Sequence, residues 1–324
     1  MALSASMVKE LREKSGAGMM DCKTALQETE GNMEEAIDWL RKKGLSAVAK
    51  KSGRVAAEGL IGISVKDNVG SIIEINSETD FVARNEIFQE FVSTCADLAI
   101  ESDGNLDILK KMPFPNSDRS VDEELANNIA TIGENMNIRR IEILNVSNGV
   151  VISYIHNSVN EGLGRLGVLV ALKSDADENN LSNLGKQIAM HIAATAPQAL
   201  NIDELDQDIV KREKQVLIDQ AIASGKPSDI AEKMVIGRMQ KFYQEVVLNE
   251  QTFVIDGETK IKDVIKKAEK DLSTSIKLTG FKMLKLGDGI EVSENDFAAE
   301  VAATAGIKYF FLNLYYLRLF VEKI

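Results

Sequence analysis

The sequence predicts an α+β protein, on three observations: a helical apolar period over the first fifty residues that gives way to strict alternation, a self-similarity at a shift of 97 residues, and two long helical stripes between about 203 and 248. With 324 residues, 44% of them hydrophobic and 27% charged, the chain has room for about two domains and the composition of an ordinary globular protein. Fibrous, collagenous and wholly disordered classes are excluded. The formal net charge is −12, and such a field opposes non-specific attachment to phosphate backbones and anionic membranes. Neither nucleic acid nor a membrane is expected as a partner, and no run reaches the roughly 20 apolar residues of a bilayer span. Only four prolines and 22 glycines punctuate the chain, so long regular elements should dominate.

Residues 1–50 read as three short helices. The first carries Met7, Val8 and Leu11 on one face and ends near Gly16-Ala17-Gly18; the second runs from about Met19 to Thr29 with Cys22, Ala25 and Leu26 inward. Gly31 suits a helix C-terminus, and Asn32, with Glu35 three residues on, suits the next N-cap. Ala36, Ile37 and Leu40 repeat the stripe until Gly44 stops it. A bundle this small buries little core and reads as a docking module on a larger body. Lys50-Lys51-Ser52-Gly53-Arg54 has no apolar period and reads as a linker. Up to Arg54 there are 10 basic and 8 acidic side chains, leaving 28 and 42 for the remainder, so the acidity belongs to the body.

Beyond the linker, Leu60 to Val65 and Ser71 to Ile75 flank Lys66-Asp67-Asn68-Val69-Gly70 as strand, turn and strand. From Asn85, Ile87, Phe88, Phe91, Val92, Cys95, Leu98 and Ala99 return to helical spacing, so Ser77 to Arg84 joins sheet to helix. A poorly patterned stretch with Pro113 and Pro115 precedes a helix near 121–132, Gly133, and a strand through Ile138 to Leu144; strands recur at about 150–156 and 167–172. Shifted by 97, Gly70 to Asp80 lies over Gly167 to Asp177, each copy followed by a striped helix. After the shared Asp the first copy has Phe81-Val82 and the second Glu178-Asn179. A helix near 181–195 stops at Pro197. Leu205, Ile209, Val216 and Ile222 then stripe one long helix, and Ile230, Met234, Met239, Phe242 and Val246 another, with a turn at 224–228, which reads as an antiparallel hairpin. A helix near 259–270, a strand through 276–286 and a helix from about Asn295 follow.

Two motifs fail on their surroundings. Gly162-Leu-Gly-Arg-Leu-Gly167 matches the dinucleotide fingerprint, but that fingerprint needs a helix N-terminus to hold the pyrophosphate, and Val168 to Leu172 reads as a strand. Gly225-Lys-Pro-Ser228 lacks the P-loop's first glycine and its Ser or Thr. His156 and His191 form no metal-clamping spacing, and His191 reads as a half-buried packing residue. Cys22 and Cys95 match no metal spacing either, and Met1 to Leu11 has no signal-peptide stretch, which points to the reducing cytoplasm. No catalytic residue, metal ligand or cofactor site emerges. The loop Thr79-Asp80-Phe81-Val82 has two readings: an Asp or Thr cap with Phe81 tucked onto the sheet, or an exposed apolar wedge beside a carboxylate, built to enter a partner.

Six ordered segments carry a resemblance. Val8-Lys-Glu-Leu-Arg-Glu-Lys-Ser-Gly-Ala-Gly-Met-Met-Asp-Cys22, Thr79-Asp-Phe-Val82, Ile132-Gly-Glu-Asn-Met-Asn-Ile-Arg-Arg140, Ile188-Ala-Met-His-Ile-Ala-Ala194, Ser224-Gly-Lys-Pro227 and Asp296-Phe-Ala-Ala-Glu-Val-Ala302 are similar to segments of bacterial elongation factor Ts, over about residues 2–305. The resemblance implies a guanine-nucleotide exchange factor that binds elongation factor Tu carrying GDP and ejects the nucleotide. In that family the loop here formed by Thr79, Asp80, Phe81 and Val82 intrudes beside the partner's nucleotide and disturbs its Mg²⁺ site. Leu11, Met19 and Met20 of the head, Ile132 and Gly133, and Phe297 near the C-terminus are the implied further contacts. The helical hairpin is the implied dimerisation arm.

The implied organisation is a UBA-like three-helix head (1–54), a first core half with the Thr79–Val82 loop (55–145), a second half with the hairpin at about 203–248 (146–290), a C-terminal helical module (291–305) and an atypical tail (306–324). That tail carries six of the chain's 17 aromatic residues, where the family pattern is expected to have ended. Two rival readings are a non-catalytic interaction scaffold with a three-helix partner-binding head, and a nucleotide-dependent enzyme using Gly162 to Gly167.

Overall fold

The computed structural model describes residues 4–15, 17–225 and 227–291. The chain up to Asp288 forms one compact unit and a second begins at Gly289.

The head is three helices, α1 (Ala5–Ser15), α2 (Met19–Glu28) and α3 (Met33–Lys51). Leu11, Cys22, Ala25, Leu26 and Ala36 meet at its centre with no exposed surface. The Asn32 side chain accepts from the backbone N–H groups of Glu34 and Glu35 and donates to the Glu35 carboxylate at 2.8 Å, which satisfies donors that a helix start leaves orphaned. Gly44 does not end α3, and Lys50 and Lys51 are helical rather than linker. The reason is packing. Helix α3 packs along α6 (Val121–Ile132), with Gly44 facing Ala126 and Ala130, and this contact carries α3 past the glycine. Lys51 Nζ then donates to the Ile129 carbonyl at 3.1 Å, and Arg41 pairs with Glu123 at 3.5 Å.

Among the described residues the body contains two antiparallel sheets. The first, in the order β3 (Met136–Asn145), β2 (Val69–Ser77), β1 (Glu58–Lys66), β5 (Leu163–Gly164), carries α4 (Glu86–Glu101), α5 (Leu106–Lys111) and α6 on one face. The second, β4 (Gly149–His156), β6 (Leu166–Lys173), β7 (Lys277–Lys285), carries α7 (Glu178–Thr195) and α10 (Ile261–Leu272). The bare faces stack on each other through Ile61, Ile72, Val151, Leu169, Ala171 and Leu284. Successive residues of β2 and β6 therefore enter different cores, both apolar, and their sequences read as almost unbroken hydrophobic runs. Helix α5, capped by Asn105, lies in the stretch the sequence left without a pattern.

The 97-residue repeat extends to backbone irregularities. The β2–β3 register shifts between Glu74 and Ile75, and the β6–β7 register shifts between Ala171 and Leu172, 97 positions on. Gly59 and Gly149, with φ of 122° and 130°, each lie where a side chain would strike a backbone carbonyl of the paired strand, that of Ile75 and that of Leu172. Only glycine fits there.

Helices α8 (Gln207–Ala223) and α9 (Ser228–Val246) pack side by side through Leu217, Ala221, Val235 and Met239. The stripe expected from sequence is out of phase on α8, whereas on α9 Met239 and Phe242 of the expected stripe lie in this seam and only its first member, Ile230, is exposed. On α8, Ile209, Val216 and Ile222 are exposed, and Leu205 is buried outside the helix, so counting from it rotated the inferred face. Among the described residues no helix is long and apolar enough to cross a membrane. The C-terminal helix expected from about Asn295, with Phe297, and the tail 306–324 lie outside the described residues.

Candidate functional site

Between β2 and α4 the chain runs through eight residues, against four between β6 and α7 in the second copy. That added length is the Thr79–Val82 loop. In the short copy Asp177 caps α7, accepting from Asn179 and Asn180 N–H. In the long copy Asn85 takes that role for α4, accepting from Ile87 N–H at 2.9 Å and Phe88 N–H at 3.4 Å. Asp80 and Thr79 are therefore not caps, and Glu178-Asn179, aligned with Phe81-Val82 by sequence, are already helix.

Phe81 is 75% exposed, while its neighbours Val82 and Ala83 are buried in the first core. One 3₁₀ turn at Val82–Arg84 makes the change of direction, with Arg84 N–H donating to the Phe81 carbonyl at 3.1 Å. Gln89 Nε2 holds the Ala83 carbonyl at 2.8 Å. The loop is thus an apolar ring raised from a fixed base, beside the exposed carboxylate of Asp80.

Helix α6 fixes the other side of that base. Gly133 ends it in the left-handed region at φ 93°, a conformation that costs other residues about 1–2 kcal/mol, and this turn aims Glu134 at the loop. Glu134 Oε2 accepts from Thr79 N–H at 2.9 Å and Oε1 from the Thr79 hydroxyl at 2.6 Å. Reciprocally, Asn135 N–H donates to Glu78 Oε1, and Asn135 Nδ2 donates to the Arg54 carbonyl at 2.7 Å. Arg54 also pairs with Glu78 at 3.4 Å. The exit from the head, the loop and the end of α6 meet at this point.

A second anchor lies farther back on β2. Glu74 has no exposed surface, yet it accepts from Arg140 Nε at 2.6 Å, Gly287 N–H at 2.8 Å, and Asn76 Nδ2 and an Arg139 guanidinium nitrogen at 3.0 Å each. Burial alone would raise its pKa; the Gly287 N–H, Asn76 and the two arginines outweigh it and hold the carboxyl below its ordinary value.

The remaining residues singled out by sequence fall in different places. Met19 and Met20, in the first turn of α2, are 57% and 71% exposed. Leu11 has no exposed surface and belongs to the head's core. Ile132 is half-buried and Gly133 exposed; Phe297 is outside the described residues. Gly162 sits in the turn before β5 at φ 68°, while Gly164 lies in β5 and Gly167 in β6, where a side chain would stand 2.4 Å from Ile155 and 2.8 Å from Ile61, Ile63 and Ile72 respectively. The two strand glycines, Gly164 and Gly167, serve sheet stacking, and Gly162 serves the turn. His191 is fully buried rather than half-buried: Nδ1 accepts from Val254 N–H at 3.3 Å, leaving Nε2 to donate to Gln251 Oε1 at 2.9 Å. Burial lowers its pKa, opposed by the Gln251 hydrogen bond. Sequence reasoning missed Glu78, Glu134 and Asn135, although the Ile132–Arg140 segment contained two of them.

The family model for elongation factor TS matches residues 78–288. Elongation factor Ts of Rhodospirillum centenum is 57% identical over 304 residues, covering 94% of this chain and 99% of the relative. Its counterpart in Rhodospirillum rubrum is 57% identical over 302 residues, 93% and 98% of the two chains, and that of Rhizobium johnstonii 55% over 301, again 93% and 98%. The chain belongs to the elongation factor Ts family.

Proposed function

We propose that this chain is a guanine-nucleotide exchange factor that binds elongation factor Tu in its GDP form and promotes GDP release during translation elongation. The observation that carries the reading is the 75% exposure of Phe81 on a loop whose base is otherwise buried and hydrogen-bonded. A large apolar side chain held in water on a fixed support is suited to enter a partner. The partner's nucleotide and Mg²⁺ pocket is the destination proposed for the Thr79–Val82 loop, with Asp80 bringing a negative charge toward the cation. Met19 and Met20 offer a second apolar contact on the head, Ile132 and Gly133 a third beside the loop, and Phe297 a further one.

Exchange is a linkage effect: a factor that weakens GDP binding by some ratio is itself bound more weakly, by the same ratio, when GDP is present. The chain makes and breaks no covalent bond in this reading and is not an enzyme. Burying one phenylalanine contributes about 1.5–3 kcal/mol, roughly a factor of 10 to 150, so contacts from the head and body add to the wedge. The proposed organisation is a UBA-like head at 1–54, core halves at 55–145 and 146–290, a C-terminal module at 291–305 and a tail at 306–324. Helices α8 and α9 form a projecting hairpin at about 203–248 through which two copies pair, supported by the exposed Ile209, Val216, Ile222 and Ile230. The cytoplasm is the proposed location.

The test is release of a fluorescent GDP analogue from purified elongation factor Tu, with and without the full chain. Acceleration is expected at substoichiometric amounts. Unchanged release with complex formation would favour the scaffold reading, and release unchanged without a complex would reject the partner as well.

A further inference from the structure

Thr79 has three polar groups and all are held: its N–H and hydroxyl by the two oxygens of Glu134, its carbonyl by the Ser77 hydroxyl at 3.0 Å. The clasp spans 55 residues of sequence and is completed from the opposite direction by Glu78 on the Asn135 N–H. Each of the two carboxylates thus accepts from the backbone N–H of the residue that follows the other, across the junction between loop and α6. Phe81, two residues past the clasp, is 75% exposed, and its direction is set by what fixes the residues on either side. Val82 and Ala83 are fixed by burial; Thr79 is not buried deeply enough to be fixed by packing and depends on hydrogen bonds.

We propose that Glu134 is a positioning residue for nucleotide release: its carboxylate locks Thr79 before the partner arrives, so Phe81 enters as part of an already ordered wedge rather than from a loop that must be ordered on binding. The proposal deepens the exchange reading and rests on it. Glu134 itself touches neither nucleotide nor reacting atoms. Carboxylate acceptors make hydrogen bonds stronger than neutral ones, and their removal leaves the Thr79 N–H to water and the loop to its own mobility. Glutamine can keep the clasp, accepting the N–H with its oxygen and donating its amide to the Thr79 hydroxyl, whereas alanine cannot.

The experiment measures fluorescent GDP release from elongation factor Tu with full-length wild type, Glu134→Ala, Glu134→Gln, Phe81→Ala and the double variant Phe81→Ala/Glu134→Ala, together with amide hydrogen exchange at Thr79. Glu134→Ala is expected to slow catalysed release roughly tenfold, the order of one charge-assisted hydrogen bond, with faster exchange at the Thr79 amide. Glu134→Gln is expected to stay within about twofold of wild type. In the Phe81→Ala background the alanine change is expected to cost less than about twofold more, because both changes act through one side chain. A Glu134→Ala protein as fast as wild type, a glutamine variant as slow as the alanine one, or full additivity in the double variant would each overturn the proposal. Glu134→Gln keeps the test decisive if the alanine variant fails to fold. Should wild type itself not accelerate release, the exchange reading fails and takes the proposal with it; the contrary outcomes above, with an active wild type, remove the proposal alone.

Discussion

Replacing Glu74 tests whether the body holds together around a buried charge. Its carboxylate accepts four hydrogen bonds: from Asn76, Arg139, Arg140 and the Gly287 N–H. The arginines in turn bind the Asp288 and Lys285 carbonyls, at 2.7 and 3.0 Å, so the cluster joins the first sheet to the end of β7. Removing one member of a buried ion pair costs about 3–5 kcal/mol, because the other is left uncompensated. Here the arginine side chains are 24% and 33% exposed and retain their carbonyl acceptors, which places Glu74→Ala at the lower end, about 3 kcal/mol. Glu74→Gln keeps one acceptor and sets an NH₂ against an arginine, so about 2 kcal/mol is expected. The pH dependence supplies an independent check. The folded-state pKa lies below the unfolded value, so this contribution is complete above the ordinary carboxylate pKa of about 4.3 and is lost as pH falls through the lowered one. Urea unfolding at neutral pH and through the acid range would show wild type losing stability more steeply on acidification than Glu74→Gln. A Glu74→Ala protein within about 1 kcal/mol of wild type, or identical acid slopes, would refute the account.

Phe81→Ala is expected to change stability by less than about 1 kcal/mol, since the ring is 75% exposed, while slowing catalysed GDP release on the order of 10-fold or more; thermal melts and release kinetics on the same preparation decide it. His191 has a lowered folded-state pKa, so its contribution is complete above the unfolded value of about 6.5 and is lost as pH falls below it. Denaturation midpoints between about pH 7.5 and 5 should decline less in His191→Gln than in wild type. Gly167→Ala forces a methyl against Ile61, Ile63 and Ile72 and should cost about 1–3 kcal/mol. Calorimetry with nucleotides alone should show no binding by either form, and binding lost in the alanine variant would revive the dinucleotide reading.

Much of the body was legible because its constraints are local or repeated. Strands β2 and β6 are covered on both faces, so their apolar runs stood out, and the 97-residue shift that aligned them also aligns the Glu74/Ile75 and Ala171/Leu172 bulges. Helix α6 was visible from its stripe, and its Ser120–Glu123 capping box marks the start. The failures have physical causes. Gly44 resembles a helix stop, but α3 continues through it because the helix packs on α6 beside Ala126 and Ala130. Helix α8 has apolar residues on more than one face, Ile209, Val216 and Ile222 being exposed and Leu217 buried, so a stripe counted from Leu205 looked acceptable. Glu74 and Glu134 were invisible as partners because their counterparts lie 65 and 55 residues away, and charge pattern alone cannot select one acid among 50.

That long-range part is what a wedge requires. If residues 78–83 were free until the partner arrived, ordering their backbone would cost about 1–2 kcal/mol each, several times the roughly 1.5–3 kcal/mol that burying one phenylalanine returns. A flexible Phe81 would therefore bind poorly and displace little. The Glu134 clasp on one side and the burial of Val82 and Ala83 on the other transfer that cost to folding, where the whole first core offsets it. Strand β2 carries the arrangement further, because Glu74 fixes the same strand to Gly287 five residues before Thr79. Sequence singles out the ring proposed to enter the partner; the contacts that keep its base rigid come from elsewhere in the chain and are supplied by the fold.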